Sequence, residues 1–244
     1  MSPRIVTPEI LDGLPNHDPA AIRSRQDLHR VHRAMGTRSI IARALRSSQL
    51  SRRESTKVRV LEIGAGDGHL MLGVARVLYN NWHHVDMTLL DRIDLVEVST
   101  IAQYSAVGWE VTSVVGDVLA WAADEPGAMG DLPGATHWDL IIANLFLHHF
   151  DNTRLGALLA AIEARTECFF ACEPRRSAMA LAGSHLVGAL GVNAVTRADA
   201  VSSVQAGFCN SELSALWPGI AERWALKEYA AGLFSHCFAA ERIA

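Results

Sequence analysis

The stretch "VLEIGAGDGHL", residues 60–70, sets Gly64, Gly66 and Gly68 at every second position, with Ala65 among them, behind an apolar run that carries one acid, Glu62. A strand-to-helix turn built this way lets backbone approach a ligand closely, and the following helix offers it unpaired N–H groups. Further chemistry-bearing residues follow apolar runs in the same manner. "TLLD" ends in Asp91 with Arg92 next, "VVGDV" holds Asp117 and Val118, "IIANLFLHHF" holds Asn144, His148 and His149, and "ECFFACEP" ends in Glu173. Acids and an amide can fix a polar ligand, and imidazoles or a carboxylate can move a proton. A dinucleotide turn would need GxGxxG, but the third glycine's place is taken by His69, so the nicotinamide reading fails.

These residues need elements to hold them in register. From Lys57 onward the pattern alternates strands with helices: strands at 58–64, 85–91, 110–117, 139–146 and 167–174, with helices at 69–80, 94–107 and 152–165. Repeated units of this kind predict an α/β domain with a parallel sheet covered on both faces. Each polar residue named above then falls at the carboxyl end of a strand, where open α/β sheets bind ligands. A Gly/Pro-rich loop occupies 124–137, an Ala/Val-rich helical insert spans 176–217, and "WALKEYAA" with "SHCFAAERI" predicts a closing antiparallel pair.

Residues 1–56 read as a separate helical cap. After an irregular leader (1–16), Asp18 is an N-cap, Pro19 the first helical residue and Gly36 the stop, with Leu28, Val31 and Met35 at helical spacing. A second helix from Thr37 turns Ile41 and Leu45 inward and ends in the polar linker "RSSQLSRREST".

The acid two residues before a GxGxG turn resembles motif I of the class I methyltransferases that use S-adenosylmethionine. The resemblance implies a Rossmann-like, seven-stranded, mostly parallel sheet with an antiparallel last strand. It further implies that Glu62 and the loop Gly64, Ala65, Gly66 and Gly68 hold the methionine portion of S-adenosyl-L-methionine. Asp91, with Arg92 beside it, would take the ribose hydroxyls, Asp117 and Val118 the adenine, and Asn144 would lie near the sulfonium. "NLFLHHF" looks like the corresponding stretch of the small-molecule branch that includes ubiquinone and menaquinone methyltransferases, which act on aromatic or quinone-like acceptors.

Methyl transfer from a sulfonium is an in-line displacement, so positioning supplies most of the catalysis, and a base helps only where the acceptor must lose a proton. His149 is the expected base, with His148 and Glu173 behind it, and Arg175 and Arg176 are placed to steer an acidic acceptor. The helical insert, with Phe208 and Trp217, reads equally as a lid formed with the N-terminal helices over a greasy acceptor or as a core helix pair packed on the sheet. No metal ion is expected, because Asp139 and Asn144 sit at opposite ends of one strand that rises about 3.3 Å per residue.

Composition narrows the classes further. Half of the residues are apolar, enough for a large core. The net charge of −4 conceals a basic arm, since residues 1–57 carry eleven Lys+Arg against five Asp+Glu. An RNA or protein methyltransferase using that arm is the alternative reading, but the arm lacks Phe, Tyr and Trp, and Asn144 opens no "NPPY" motif. A non-catalytic partner protein of the same fold is the third reading, which has no use for three acids at cofactor positions. The four cysteines form no CxxC pair and read as buried, reduced thiols. With no signal peptide and no apolar run near the roughly 18 residues of a membrane span, the expected location is the cytoplasm. The basic arm leaves room for a homodimer.

Overall fold

The computed structural model describes residues 3–52, 57–82, 84–125, 127–129, 137–220 and 222–243. The cap begins with one helical turn, α1 (Ile10–Gly13), inside the segment expected to be irregular. Two longer helices follow, α2 (Pro19–Met35) and α3 (Thr37–Ser47). Asp18 caps α2 by accepting from the Ala20 N–H, and Gly36 ends it at φ 70°, as the sequence predicts. The end of the expected linker, residues 53–56, lies outside the described residues, as does most of the expected loop, 126 and 130–136.

The β/α units follow: β1 (Val58–Ile63), α4 (His69–Leu78), β2 (Val85–Asp91), α5 (Val98–Ser105), β3 (Trp109–Val115), α6 (Val118–Ala122), β4 (Trp138–Asn144), α7 (Asn152–Ala164) and β5 (Thr166–Pro174). The insert holds α8 (Ala178–Leu186), α9 (Ala194–Ala206) and α10 (Glu212–Leu216), and β6 (Trp224–Ala231) and β7 (Ser235–Arg242) close the chain. The seven strands form one sheet in the order β3-β2-β1-β4-β5-β7-β6. β7 runs antiparallel to both of its neighbours, and the pairs among β1 to β5 are parallel. This is the expected Rossmann-like sheet with an antiparallel last strand.

Successive residues of a strand point to opposite faces. Val60, Ile142 and Phe170 therefore join Met71, Leu72, Ile41 and Leu45 in one core, while Leu61, Ile141 and Phe169 join Leu155, Leu158 and Phe238 in the other. Helices α3 and α4 cover the first face, and α7 the second. Phe208 and Trp217 belong to this second core, with Trp217 stacked on Phe169 at 5.7 Å, so neither serves in a lid. Cys168, Cys172, Cys209 and Cys237 are buried thiols outside any disulfide, and Cys172 faces Cys237 across the β5/β7 pair. Among the described residues no helix is long and apolar enough to cross a membrane.

The cap departs from expectation in how it packs. The fully buried stripe of α2 is Ala21, Ser24 and Asp27, whereas Leu28, Val31 and Met35 are half-buried and line a cleft. α2 lies on α9 through polar contacts: Ser24 Oγ meets Thr196 Oγ1 at 2.8 Å, and Asp27 accepts from the Asn193 N–H at 2.7 Å as well as from Arg23 and Arg30.

Candidate functional site

The cap, the insert and the carboxyl ends of β1, β2 and β4 enclose one cleft of about 1540 Å³. Glu62, Gly64, Ala65, Gly66, Asp91, Arg92, Asp117, Val118, Asn144, His148 and His149 all line it. Gly68 sits just behind the loop, where its carbonyl accepts from the buried Tyr104 hydroxyl at 2.7 Å.

At the glycine-loop end, all three glycines adopt left-handed φ, 70°, 58° and 74°. Gly64 has a second constraint, because a Cβ there would stand 2.3 Å from the Phe146 ring. The loop is tied to β2: Gly64 and Ala65 donate to the Leu90 carbonyl, and Gly66 donates to Asp91 Oδ2 at 2.8 Å. Asp91 Oδ1 also accepts from the Ile93 N–H, which holds the carboxylate at the cleft wall. Asp117 lies two residues past β3 rather than in it, and caps α6 through the Leu119 N–H.

Glu62 Oε2 and Asn144 Oδ1 are buried here with no hydrogen-bond partner among the described residues. Burial, with the charges of Asp67 and Asp91 nearby, pushes the Glu62 carboxyl well above the usual carboxylate range. An acid so placed is complementary to a cationic ligand group, and the surrounding acids oppose a pyrophosphate.

At the other end, Leu145 takes φ 47°, an uncommon value for a side-chain-bearing residue. Its N–H donates to the Cys172 carbonyl, and Glu173 holds the turn that follows. Glu173 is 0% exposed, and its Oε1 accepts from the N–H groups of Phe146 and Leu147, both at 3.0 Å. Its Oε2 holds His148 Nδ1 at 2.8 Å, while His148 Nε2 lies 3.3 Å from Glu9 Oε1. Burial opposes charge on His148, but these two carboxylates outweigh it and raise the imidazole to about 9. Burial is the largest single influence on Glu9 and would raise it, but the bond to His148, the charges of His148 and His149 and the Ser203 hydrogen bond together outweigh burial, and the carboxylate is lowered. Ser203 Oγ also donates to Glu9.

His149 is different. Burial and then the charge of His148 lower its pKa, with Glu9 and Asp12 pulling the other way. Its Nδ1 is 3.4 Å from Asp12 Oδ2, and its ring packs beside Phe146 at 6.3 Å. Of the three residues expected to act as bases, Glu173 faces away from the cleft with both oxygens engaged. His148 has both nitrogens engaged, and His149 remains on the cleft wall with its pKa held below the ordinary histidine value.

Arg176 departs from its expected steering role: it is buried, donates to the Gly207 carbonyl and pairs with Glu212 at 2.5 Å. Arg175 bridges to Phe208 instead of lining the cleft. Glu9, Asp12 and Ser203 are site residues that the sequence did not single out, since 139 positions separate Glu9 from His148.

No family model matches the sequence, and neither does any curated protein. Among solved structures, the plantazolicin methyltransferase BpumL in complex with SAH is similar, with a TM-score of 0.62, 14% identity and coverage of 93% of this chain and 92% of that one. What this chain shares with it is the fold. The mitomycin 7-O-methyltransferase MmcR aligns with a TM-score of 0.57 at 15% identity, over 96% of this chain and 60% of that one. Magnesium protoporphyrin IX methyltransferase ChlM from Synechocystis PCC 6803, with bound SAM, aligns with a TM-score of 0.51 at 11% identity, over 96% and 88%.

Proposed function

We propose that this chain is an enzyme that transfers a methyl group from S-adenosyl-L-methionine to an oxygen or carbon of a small aromatic, phenolic, quinone or polyketide-like acceptor. The observation that carries the reading is the buried, unpartnered Glu62 carboxyl at a glycine turn whose neighbours are acids. When bound, S-adenosylmethionine supplies an electrophilic methyl on a sulfonium. Glu62 and the turn Gly64–Gly68 fit its cationic methionine end, and Asp91 with Arg92 fits the ribose. Asp117 and Val118 fit the adenine, and Asn144, whose buried Oδ1 has no partner among the described residues, would lie near the sulfonium. Similar folds solved with SAM or SAH add support.

The acceptor enters the histidine end, between Phe146 and Phe150 and the apolar residues Leu28, Val31, Leu186 and Val187. His149, oriented by Asp12, takes the acceptor's proton as the methyl bond forms. Glu173 and His148 hold the turn that carries His149, and act as positioning residues. Within the cap (1–56) and the insert (176–217), the helices that line the cleft, α2, α8 and α9, serve as the lid, and the polar α2/α9 contact suits a surface that opens. The arginines of the arm disfavour the RNA reading, because Arg4, Arg23 and Arg30 are spent on internal partners.

Calorimetric titration with S-adenosylmethionine and, separately, with NADH tests the cofactor. Micromolar binding of the first and none of the second is expected, followed by labelled methyl transfer to a panel of phenols and quinones. Binding of neither ligand overturns the reading.

A further inference from the structure

A second group of ligating side chains sits where α2 crosses the glycine turn. Asp67 lies between Gly66 and Gly68. Its Oδ1 accepts from the His69 N–H at 3.0 Å, which fixes the carboxylate. Oδ2 is then turned to two imidazoles, His29 Nε2 at 2.7 Å and His69 Nδ1 at 3.4 Å, whose rings stand 5.2 Å apart. The three donors lie within 4.8 Å of one another.

Zinc binds histidine nitrogen and carboxylate oxygen at about 2.0–2.2 Å in a tetrahedron, which sets neighbouring donors about 3.3 Å apart. The observed separations bracket that spacing. The donor types fit as well: α2 carries Arg25, Arg30 and Arg33 close by, yet among the described residues Asp67 pairs with imidazoles, which can ligate, rather than with guanidinium, which cannot. Among the described residues, the hydrogen bond between His29 and Asp67 is also the one that joins α2 to the glycine turn.

We infer that His29, Asp67 and His69 form a divalent-metal site, suited to zinc with water in the fourth position, that clasps the cap to the glycine turn. The ion draws α2 onto Asp67 and thereby fixes the backbone between two left-handed glycines. No sequence motif marks it, because 38 positions separate His29 from Asp67. The other trio of donors, Glu9, His148 and His149, lies at the histidine end of the same cleft and provides an internal control.

The test uses the full chain, freed of any purification tag and stripped with a chelator, titrated with Co²⁺ and then with Zn²⁺ in the absence of S-adenosylmethionine. The expected result is one equivalent of cobalt with the visible absorption of a low-coordinate ion, displaced by zinc. His29→Ala and His69→Ala each weaken binding at least tenfold, and His149→Ala leaves it unchanged. Zinc also raises the melting temperature of the wild type but not that of His29→Ala, whose exposed side chain can be removed without harm to the core. Absence of saturable one-to-one binding, binding that survives both histidine variants, or binding lost in His149→Ala overturns the inference. Because no methyl donor is present, failure here is separate from failure of the methyl-transfer reading.

Discussion

Glu173 and His148 form a buried ion pair at 2.8 Å whose carboxylate also accepts three backbone N–H groups of the turn after β4. Breaking one partner of such a pair leaves a charge without compensation and typically costs about 3–5 kcal/mol. Glu173→Ala is therefore expected to lower unfolding free energy by about that amount in urea, and to reduce kcat well beyond the loss of folded protein, because the turn that carries His149 loosens. A variant with full stability and impaired kcat would instead make Glu173 a catalytic group.

The raised pKa of His148 has a consequence for stability. A group whose folded pKa lies above its unfolded value of about 6.5 contributes fully below that value and loses its contribution as pH rises through about 9. Wild type should thus lose stability relative to His148→Asn between about pH 6.5 and 9, and the gap should be widest on the acid side. Parallel denaturation series at several pH values measure it; a constant gap argues that His148 is neutral when folded.

The lowered pKa of His149 acts in the other direction, on rate. A neutral imidazole base is active above its pKa, so the acid limb of kcat/KM should lie below about pH 6.5, the value of a free histidine. His149→Ala should lower turnover about 10²-fold or more and leave S-adenosylmethionine affinity nearly unchanged, whereas Asp91→Ala should weaken that affinity about tenfold or more through lost hydrogen bonds to a carboxylate. Turnover of His149→Ala that matches wild type across pH would remove this base.

The strand ends were legible because the sheet maps each one to a short, local pattern: an apolar run, then a glycine or an acid. Gly64, Asp91 and Asn144 could be placed this way without knowing what packs against them. Residues defined by distant partners could not. Arg176 looked like a steering cation until Glu212 and the Gly207 carbonyl were seen around it. Phe208 and Trp217 looked like lid aromatics, although both are buried in the second core, Trp217 against Phe169 and Phe238. Leu28, Val31 and Met35 have the spacing of a core stripe, but the helix uses Ala21, Ser24 and Asp27 for packing and leaves the larger residues to the cleft. Periodicity identifies an apolar face without saying whether protein or ligand covers it.

Gly64 tests the turn itself. Gly64→Ala must hold a left-handed φ, which costs about 1–2 kcal/mol, and it must also displace the Phe146 ring, which stands where the new Cβ would go. The expected outcome is a lower melting temperature together with weaker S-adenosylmethionine binding. Adding Phe146→Leu should restore part of the stability but none of the backbone strain, and full recovery would show that the clash alone mattered.

Glu62 separates function from stability most directly. With its carboxyl raised by burial, folding favours the protonated form, so the ionised acid destabilises the free protein increasingly as pH rises above its unfolded value of about 4.5. Glu62→Gln keeps the shape, removes the charge and should raise the melting temperature of the free protein near neutral pH. The same change removes the complement to a cationic ligand group, so S-adenosylmethionine affinity should fall about tenfold or more. Adding the cofactor should then raise the melting temperature of the wild type more than that of the variant, because ligand stabilisation follows the ratio of its concentration to Kd. A variant that loses stability and binds as before would place Glu62 in the scaffold instead, as the partner of some group other than the ligand.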